Sequence, residues 1–316
     1  MESKSRESRT LFRTAFLTLL LSAFAFAAQA GSVTITSVAD TTLSENYPSN
    51  NFGALSFVNA GTTQNHTRNR GLLRFDIAGN LPPGARVVQA NLVLEVKHIP
   101  ADGYAFADFG LHRVLRSWGE GAGTSPTNGN NPGVGTPANL NEATWLFCFA
   151  TNNLWTLPGA AATNDYVSVP SATQTIYSIN DSPYTFGATP LFITDVQTWL
   201  DNPTSNFGWM LKCQAEDTPF TARRFASHED PNFQPQLQID YLVIPNIDRI
   251  ATAGGQIELR FVAQGDQSYE VQRTGDVFGT GSWTSLTNLP ASGTGGPVVV
   301  SVGAAGTRQF FRVRTQ

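Results

Sequence analysis

Apolar and polar residues alternate with period two in short runs along most of the chain: Val33–Thr36, Gly71–Ile77, Ala90–Val96, Gly110–Leu115 and Gln236–Val243. That period sends successive side chains to opposite faces and predicts strands with one face buried. Asn-Pro, Pro-Gly, Pro-Pro-Gly and Asn-Gly steps separate the runs and supply the turn chemistry that ends strands. One stretch departs from the pattern. Over Ile193–Leu200 the residues Val196, Trp199 and Leu200 recur at spacings of three and four, and Thr194 stands as an N-cap, which predicts a single short helix. From Gly121 to Asn141 there are many Gly, Pro, Asn and Thr residues and almost no bulky apolar side chain, so a long surface loop is expected, either a binding rim or a tolerated insertion. After Ile244-Pro245-Asn246 the alternation restarts. Gln256–Val262, Ser268–Arg273, Trp283–Leu286, Val298–Val302 and Gln309–Val313 predict a second, small sandwich of about seven short strands.

The N-terminus is of another kind. Lys4, Arg6, Arg9 and Arg13 precede an apolar stretch from Ala15 to Ala28 that ends in Ala28-Gln29-Ala30. A basic start, a short apolar core and an Ala-x-Ala exit are what a secretory signal peptide requires, and the stretch is short for a bilayer span. Residues 1–30 are therefore expected to be cleaved, leaving a large domain over 31–244 and a small one over 247–316. No later segment is apolar enough to cross a membrane as a helix, so a secreted or cell-surface location is expected.

Removal of those residues takes away four basic and two acidic groups, turning 20 against 24 into 16 against 22, a net charge of about −6. Nucleic acid and anionic lipid require dense Lys and Arg, which such a chain lacks, so neither is an expected partner. Charged residues make up only 14%, while turn residues are plentiful, and both facts favour an all-β protein. Cys148 and Cys213 sit in the strand-like runs WLFCF and WMLKC. An oxidising compartment could pair them in a disulfide; the alternative is two buried small apolar residues.

Arg74 and Asp76 flank Phe75 and share one strand face, as an exposed pair or as half-buried groups partnered by the helix, Arg74 with Asp195 for instance. Trp118 and Trp199 are expected in the core. Ligand recognition would come from loops. Tyr104, Trp145, Trp155, Tyr166 and Tyr184 lie in or beside polar segments, and Arg223, Arg224, His228 and Glu229 flank a late strand where forked donors could meet a uronate. Against this, Trp145 alternates with Phe147 and Phe149 as a core residue would, and the arginine pair could serve only to keep an edge soluble. Asp40 and Asp240, near the first and last strands of the large domain, are the candidate ligands of a structural calcium ion; no cofactor is required.

Four blocks of residues 33–243 resemble the DNRLRE domain, carbohydrate-binding module family 96. They are ADTT (39–42) with Tyr47, Asn51, Phe52 and Gly53; NRGLLRFDIAGNLPPGARVVQANLVLEV (69–96); VLRSWGEG (114–121) with the Trp145 strand; and FITDVQTWLDNPTSNFGWMLK (192–212) with FASHE and PQLQIDYL. The resemblance implies a jelly-roll β-sandwich that binds polysaccharide or cell-surface glycan without catalysis. YEVQRTGDVFGTGSWTSLTNLPA and RQFFRVRTQ are similar to the small immunoglobulin-like, fibronectin type III domains that end many exported bacterial proteins.

Catalytic signatures are missing. His66, His98, His112 and His228 show no zinc-protease spacing, and there is no G-x-S-x-G elbow. Glu120, Glu142, Asp195 and Glu229 remain as carboxylates from which a lyase or glycosidase pair could be drawn. The leading expectation is a non-catalytic carbohydrate-binding protein. A structural or adhesive cell-surface protein without a sugar site is the alternative.

Overall fold

Twenty-one strands and one α-helix make up the computed structural model, which describes residues 29–101, 103–124, 133–243, 245–265, 267–276, 282–292, 295–304 and 308–315. Residues 1–28 of the expected signal peptide lie outside the described residues, as does Ile244 at the expected boundary. Among the described residues, no helix is long and apolar enough to cross a membrane.

The strands are β1 (Gln29–Ser44), β2 (Asn50–Asn51), β3 (Phe57–Thr62), β4 (Arg68–Phe75), β5 (Ala85–Leu94), β6 (Val96–His98) and β7 (Ala107–Arg113). There follow β8 (Thr136–Pro137), β9 (Phe147–Phe149), β10 (Asn153–Leu154), β11 (Ala172–Ile176) and β12 (Tyr184–Gly187). Helix α1 (Pro190–Asp201) leads to β13 (Trp209–Cys213), β14 (Arg223–Ala226) and β15 (Gln236–Val243). The last six are β16 (Ile247–Ala253), β17 (Gln256–Ala263), β18 (Tyr269–Thr274), β19 (Thr284–Leu289), β20 (Gly296–Gly303) and β21 (Phe310–Thr315).

The long strand β1 serves two antiparallel ladders. Its first half pairs with β15, from Gln29 opposite Val243 to Thr36 opposite Gln236, and its second half pairs with β4, from Ser37 opposite Phe75 to Ser44 opposite Asn69. On one side the order is β12-β5-β15-β1, and on the other β1-β4-β13-β7-β11, with β3, β14 and β6 continuing from β4. The register slips by one residue between Ser37 and Ala39, leaving Val38 outside the ladder and half exposed. A bulge of this kind inverts which parity faces inward. Ile35 accordingly belongs to the main core, whereas Ala39 and Leu43 belong to a second apolar cluster. The same slip recurs where β15 meets β5 and leaves Val88 exposed, so Val87 and then Ala90, Leu92 and Leu94 all reach the main core.

Strands β4 and β13 are buried on both faces. Leu73, Phe75, Trp209 and Leu211 join the main core, and Leu72 and Met210 join the second cluster with Trp118, Trp145, Trp155 and Cys148. That double burial accounts for the adjacent apolar residues Leu72-Leu73 in β4 and Trp209-Met210-Leu211 in β13. The two cysteines are free and occupy different clusters, Cys213 the main core and Cys148 the second, so of the two readings the structure has the buried small apolar residues and not the disulfide. The thiol of Cys148 instead donates to the Asn153 carbonyl at 3.3 Å.

Helix α1 starts three residues before Ile193. Pro190 stands at its first position and Thr189, not Thr194, is the N-cap, accepting from the Phe192 amide at 3.1 Å. Thr194 instead donates back to the Pro190 carbonyl at 2.7 Å. The face carrying Phe192, Val196, Trp199 and Leu200 is buried in the main core, where the Trp209 indole stacks on Phe192 at 4.5 Å and meets Trp199 edge-on. Asp195 is buried on the same face and takes the Trp209 Nε1–H at 2.9 Å, the Ser171 hydroxyl at 2.5 Å and Arg113 at 3.4 Å. The arginine partner of Asp195 is thus Arg113; Arg74 lies over the Trp118 ring at 5.0 Å.

Strands β16 to β21 pair only among themselves, in the orders β16-β17-β20 and β19-β18-β21, and close a separate core of Leu259, Phe261, Tyr269, Val271, Val300, Val302 and Val313. Among the described residues this gives six strands, not about seven.

Replacement of Asp195 by alanine strands the Ser171 hydroxyl, the Trp209 N–H and the Arg113 guanidinium together. Urea denaturation of Asp195→Ala is expected to show a loss of about 3 kcal/mol. A loss below about 1 kcal/mol would contradict the buried network.

Candidate ligand-binding surface

Two constellations of polar side chains stand out, and they differ in kind. The first is a cluster of charge. Asp40, next to the β1 bulge and only 1% exposed, accepts from the Ser37 hydroxyl at 3.1 Å and from the His228 backbone amide at 2.9 Å. Its own amide donates to Glu120 Oε1 at 2.7 Å. The His228 ring lies among three carboxylates. Its Nδ1 is 3.4 Å from Asp40 and 3.2 Å from Glu120, and its Nε2 is 3.1 Å from Glu229, whose other oxygen accepts from the Ser227 hydroxyl at 2.8 Å. Nδ1 is buried without a hydrogen bond, so its attraction to Asp40 and Glu120 is that of an ion pair. The Asp40 carboxylate, seconded by Glu120 and Glu229, raises the His228 pKa to about 9 against the burial that opposes it. Burial pushes Glu120 up to about 7, and burial likewise raises Glu229.

The cluster fastens the β1 corner, the loop at Glu120 and the segment after β14 to one another. Its donor set could also hold a cation, since Asp40, His228 and Glu229 each offer a ligand atom within 4.8 Å of the others. Asp240 contributes nothing to it. It lies opposite Ser32 in the β1–β15 ladder, eight residues along β1 from Asp40, so the expected Asp40–Asp240 calcium pair is not assembled.

The second constellation is a groove of about 400 Å³ on the outer face of β6, β14 and β3. Strand pairing builds its floor. Arg224 stands opposite Asn59 on one side and His98 on the other, so the three form a row across the strands. A second row sets Ser44 opposite Asn69. The inward parity of the same strands, Val58, Ala60, Val96 and Phe225, fills the main core. Phe57, two residues before Asn59, carries the Arg224 guanidinium at 4.4 Å. Asn46, Tyr47, Gln64 and Asn65 complete the rim. Burial, aided by Arg224, lowers the His98 pKa, so the ring is neutral at pH 7 and can both donate and accept.

Several amide side chains in the large region are spent on the protein itself. Asn51 holds the carbonyls of Glu120 and Ala143, Asn206 that of Phe75, and Gln197 bridges Val87 and Ala85. Among the described residues, those of Asn46, Asn59, Gln64, Asn65 and Asn69 have no such partner, nor do those of Asn91, Gln236 and Gln238 elsewhere, and the first five line the groove together. Their donors and acceptors point into one depression of a volume common for ligand sites.

The residues proposed from sequence are dispersed. Arg224 lines the groove, while Arg223, of opposite parity, is 1% exposed and spends its guanidinium on the carbonyls of Phe220, Ala222, Ala105 and Tyr177. Trp145 and Trp155 are buried. Arg68 and Arg70 cover the first, and the second donates its N–H to Thr144 O at 2.9 Å, so neither offers a face to a ligand. Tyr184 is buried with its hydroxyl bound to the backbone of Tyr177 and Ser178, and Tyr166 meets His112 edge-on. Tyr104 is exposed, with Arg223 against its ring at 5.1 Å. His228 and Glu229 belong to the charge cluster. Sequence reasoning missed the five amides, although the polar tract Thr62–Asn69 between two apolar strands was a signal. The segment 121–141 is tied at both ends, by Asn51 to Glu120 and by β8 to β2; residues 125–132 lie outside the described residues.

No family model matches the chain, and no curated protein matches it.

The charge cluster has a pH signature. The pKa of His228 is raised from 6.5 to about 9 on folding, so its stabilisation is complete below about pH 6.5 and disappears as pH rises through 9. The gap in melting temperature between the natural chain and His228→Gln is expected to be widest near pH 6 and to close by about pH 10. A gap independent of pH would show that the ring acts by packing alone.

Proposed function

We propose that the chain is an exported, non-catalytic polysaccharide-binding protein and that the amide-lined groove is its sugar site. The carrying observation is the convergence of Asn46, Asn59, Gln64, Asn65 and Asn69, unbonded by the protein, on one depression floored by the His98–Arg224–Asn59 row. Sugar hydroxyls both donate and accept, and a carboxamide answers them with a donor and an acceptor in one plane. Neutral His98 has the same duality. Arg224, whose guanidinium lies 4.4 Å from the centre of the Phe57 ring, adds a positive charge beside the amides that suits a uronic acid.

Several further features support this reading. Hydrolysis of a glycoside ordinarily needs a pair of carboxyl groups, and the described groove lining contains none. The grouped carboxylates of Asp40, Glu120 and Glu229 are engaged by one imidazolium and by backbone amides. The basic and apolar N-terminal stretch ending in Ala-x-Ala suits export, and the four blocks between residues 39 and 243 that resemble the family 96 modules suit a jelly-roll domain with this role. The last six strands, which resemble a fibronectin type III domain, would then be an accessory sandwich.

Affinity electrophoresis in alginate, pectin, xylan and β-glucan tests the proposal. Retardation by at least one gel is expected, strongest for a uronate polymer. Asn59→Ala should weaken it about fivefold and Arg224→Ala about tenfold or more. Free migration in all four gels would favour a structural or adhesive role, and unsaturated or reducing-end product would mark an enzyme.

A further inference from the structure

A second depression, of about 310 Å³, lies on the outer face of the sheet formed by β12, β5 and β15. Parity builds its floor. Val93, and Glu95 just past the end of β5, alternate with Leu92, Leu94 and Val96 of the main core, and strand register sets Gln236 of β15 opposite Val93. Asn232 and Phe233, from the loop before β15, and Pro183, from the loop before β12, bound it.

Both loops are held before any ligand arrives. Asp230, only 6% exposed, accepts from the backbone amides of Asn232 and Phe233 at 3.0 Å each and pairs with Lys97 at 3.3 Å. The Lys97 ammonium also lies 3.9 Å from the centre of the Phe233 ring, and Phe233 remains 44% exposed. On the other side the Ser182 hydroxyl takes the Val96 amide at 2.6 Å. Such prior ordering lowers the entropic cost of binding. The polar side chains of the lining are not all spent in this way. Gln234 donates to the His228 carbonyl, but among the described residues the side chains of Glu95, Asn232 and Gln236 have no protein partner.

We propose that this depression is a second sugar site, which takes one uncharged pyranose unit of a neutral glycan. Phe233, Pro183 and Val93 supply an apolar surface for the C–H face of the ring. Asn232 and Gln236 offer donors and acceptors to its hydroxyl groups, and the Glu95 carboxylate offers acceptors alone. Size and charge select the occupant. The volume is at the small end of ligand sites, which suits a single ring and not a folded partner. Glu95 is the one charged residue of the described lining, and it disfavours the carboxylate of a uronate. The groove has the opposite bias, with Arg224 on its floor. The two sites thus sort glycans by charge, and the second stands whether or not the groove binds sugar.

Calorimetric titration of the full chain with hexamers of xylan, β-glucan, alginate and pectin tests the depression separately from the groove. Phe233→Ala and Gln236→Ala each remove an exposed side chain, and an unchanged melting temperature confirms that the variants fold. The natural chain is expected to bind at least one of the two neutral hexamers. Phe233→Ala should weaken that binding about tenfold and Gln236→Ala about fivefold, with uronate hexamers unaffected. Arg224→Ala should do the reverse. No binding of either neutral hexamer by the natural chain, neutral affinity that survives both depression variants, or neutral affinity that falls only in Arg224→Ala would overturn the second site. Uronate affinity unmoved by Arg224→Ala, with the neutral losses as expected, would overturn the reading of the groove and leave the depression standing.

Discussion

The large region depends on one strand belonging to two ladders. Strand β1 binds β15 with its first half and β4 with its second, and the one-residue bulge at Val38 lets it turn the corner while both halves keep a buried face. Such a corner puts polar groups where water cannot serve them. Asp40, just past the bulge, satisfies the Ser37 hydroxyl and the His228 amide, and Glu120 satisfies the amide of Asp40 itself. The three carboxylates gathered there would repel one another without the His228 imidazolium between them. The cluster that looks most like chemistry is therefore explained by the fold, and the groove, which looks bland, is the feature the fold leaves unexplained.

Sheet construction accounts for the groove. Strands β3, β14 and β6 bury Val58, Ala60, Phe225 and Val96 on one face, and strict alternation then forces Asn59, Arg224 and His98 onto the other. Placing amides there without protein partners gains nothing for stability in water, where a solvent-exposed amide is nearly neutral to folding. Their grouping is intelligible as recognition. Arg223, one residue from Arg224, goes inward by the same alternation and clamps the Ala105 and Tyr177 backbone, so adjacent arginines divide the work of holding and of lining.

Legibility in the sequence followed period and parity. The all-β class and the buried helix face at Val196, Trp199 and Leu200 could be read because each lies in a run of unbroken period, and the core position of Trp118 because a large indole is more often buried than exposed. The first half of β5 was missed because the extra residue Val88 reverses the alternation, and nothing local announces a bulge. In the four-residue strand Arg-Arg-Phe-Ala, alternation assigns the two arginines to opposite faces, but only the fold decides which arginine faces the core. Trp155 lies in a segment with loop-like composition, yet it is buried in the cluster that covers the second face of β4, whereas the alternation of Trp145 with Phe147 and Phe149 already pointed to the core. The groove amides come from three separate stretches, brought together only by the fold, and no spacing along the chain could have assembled them.

The central claim is that unbonded carboxamides in the β3–β14–β6 groove meet sugar hydroxyls, and side-chain NH2 resonances report this directly. In a ¹⁵N-labelled chain titrated with the oligosaccharide that binds best, the account predicts shifts concentrated in the side-chain amides of Asn46, Asn59, Gln64, Asn65 and Asn69. The amides of Asn51 and Asn206, engaged by backbone carbonyls, should stay in place. Shifts confined to the region of β16 to β21, or absent from the groove amides while binding is saturated, would contradict it.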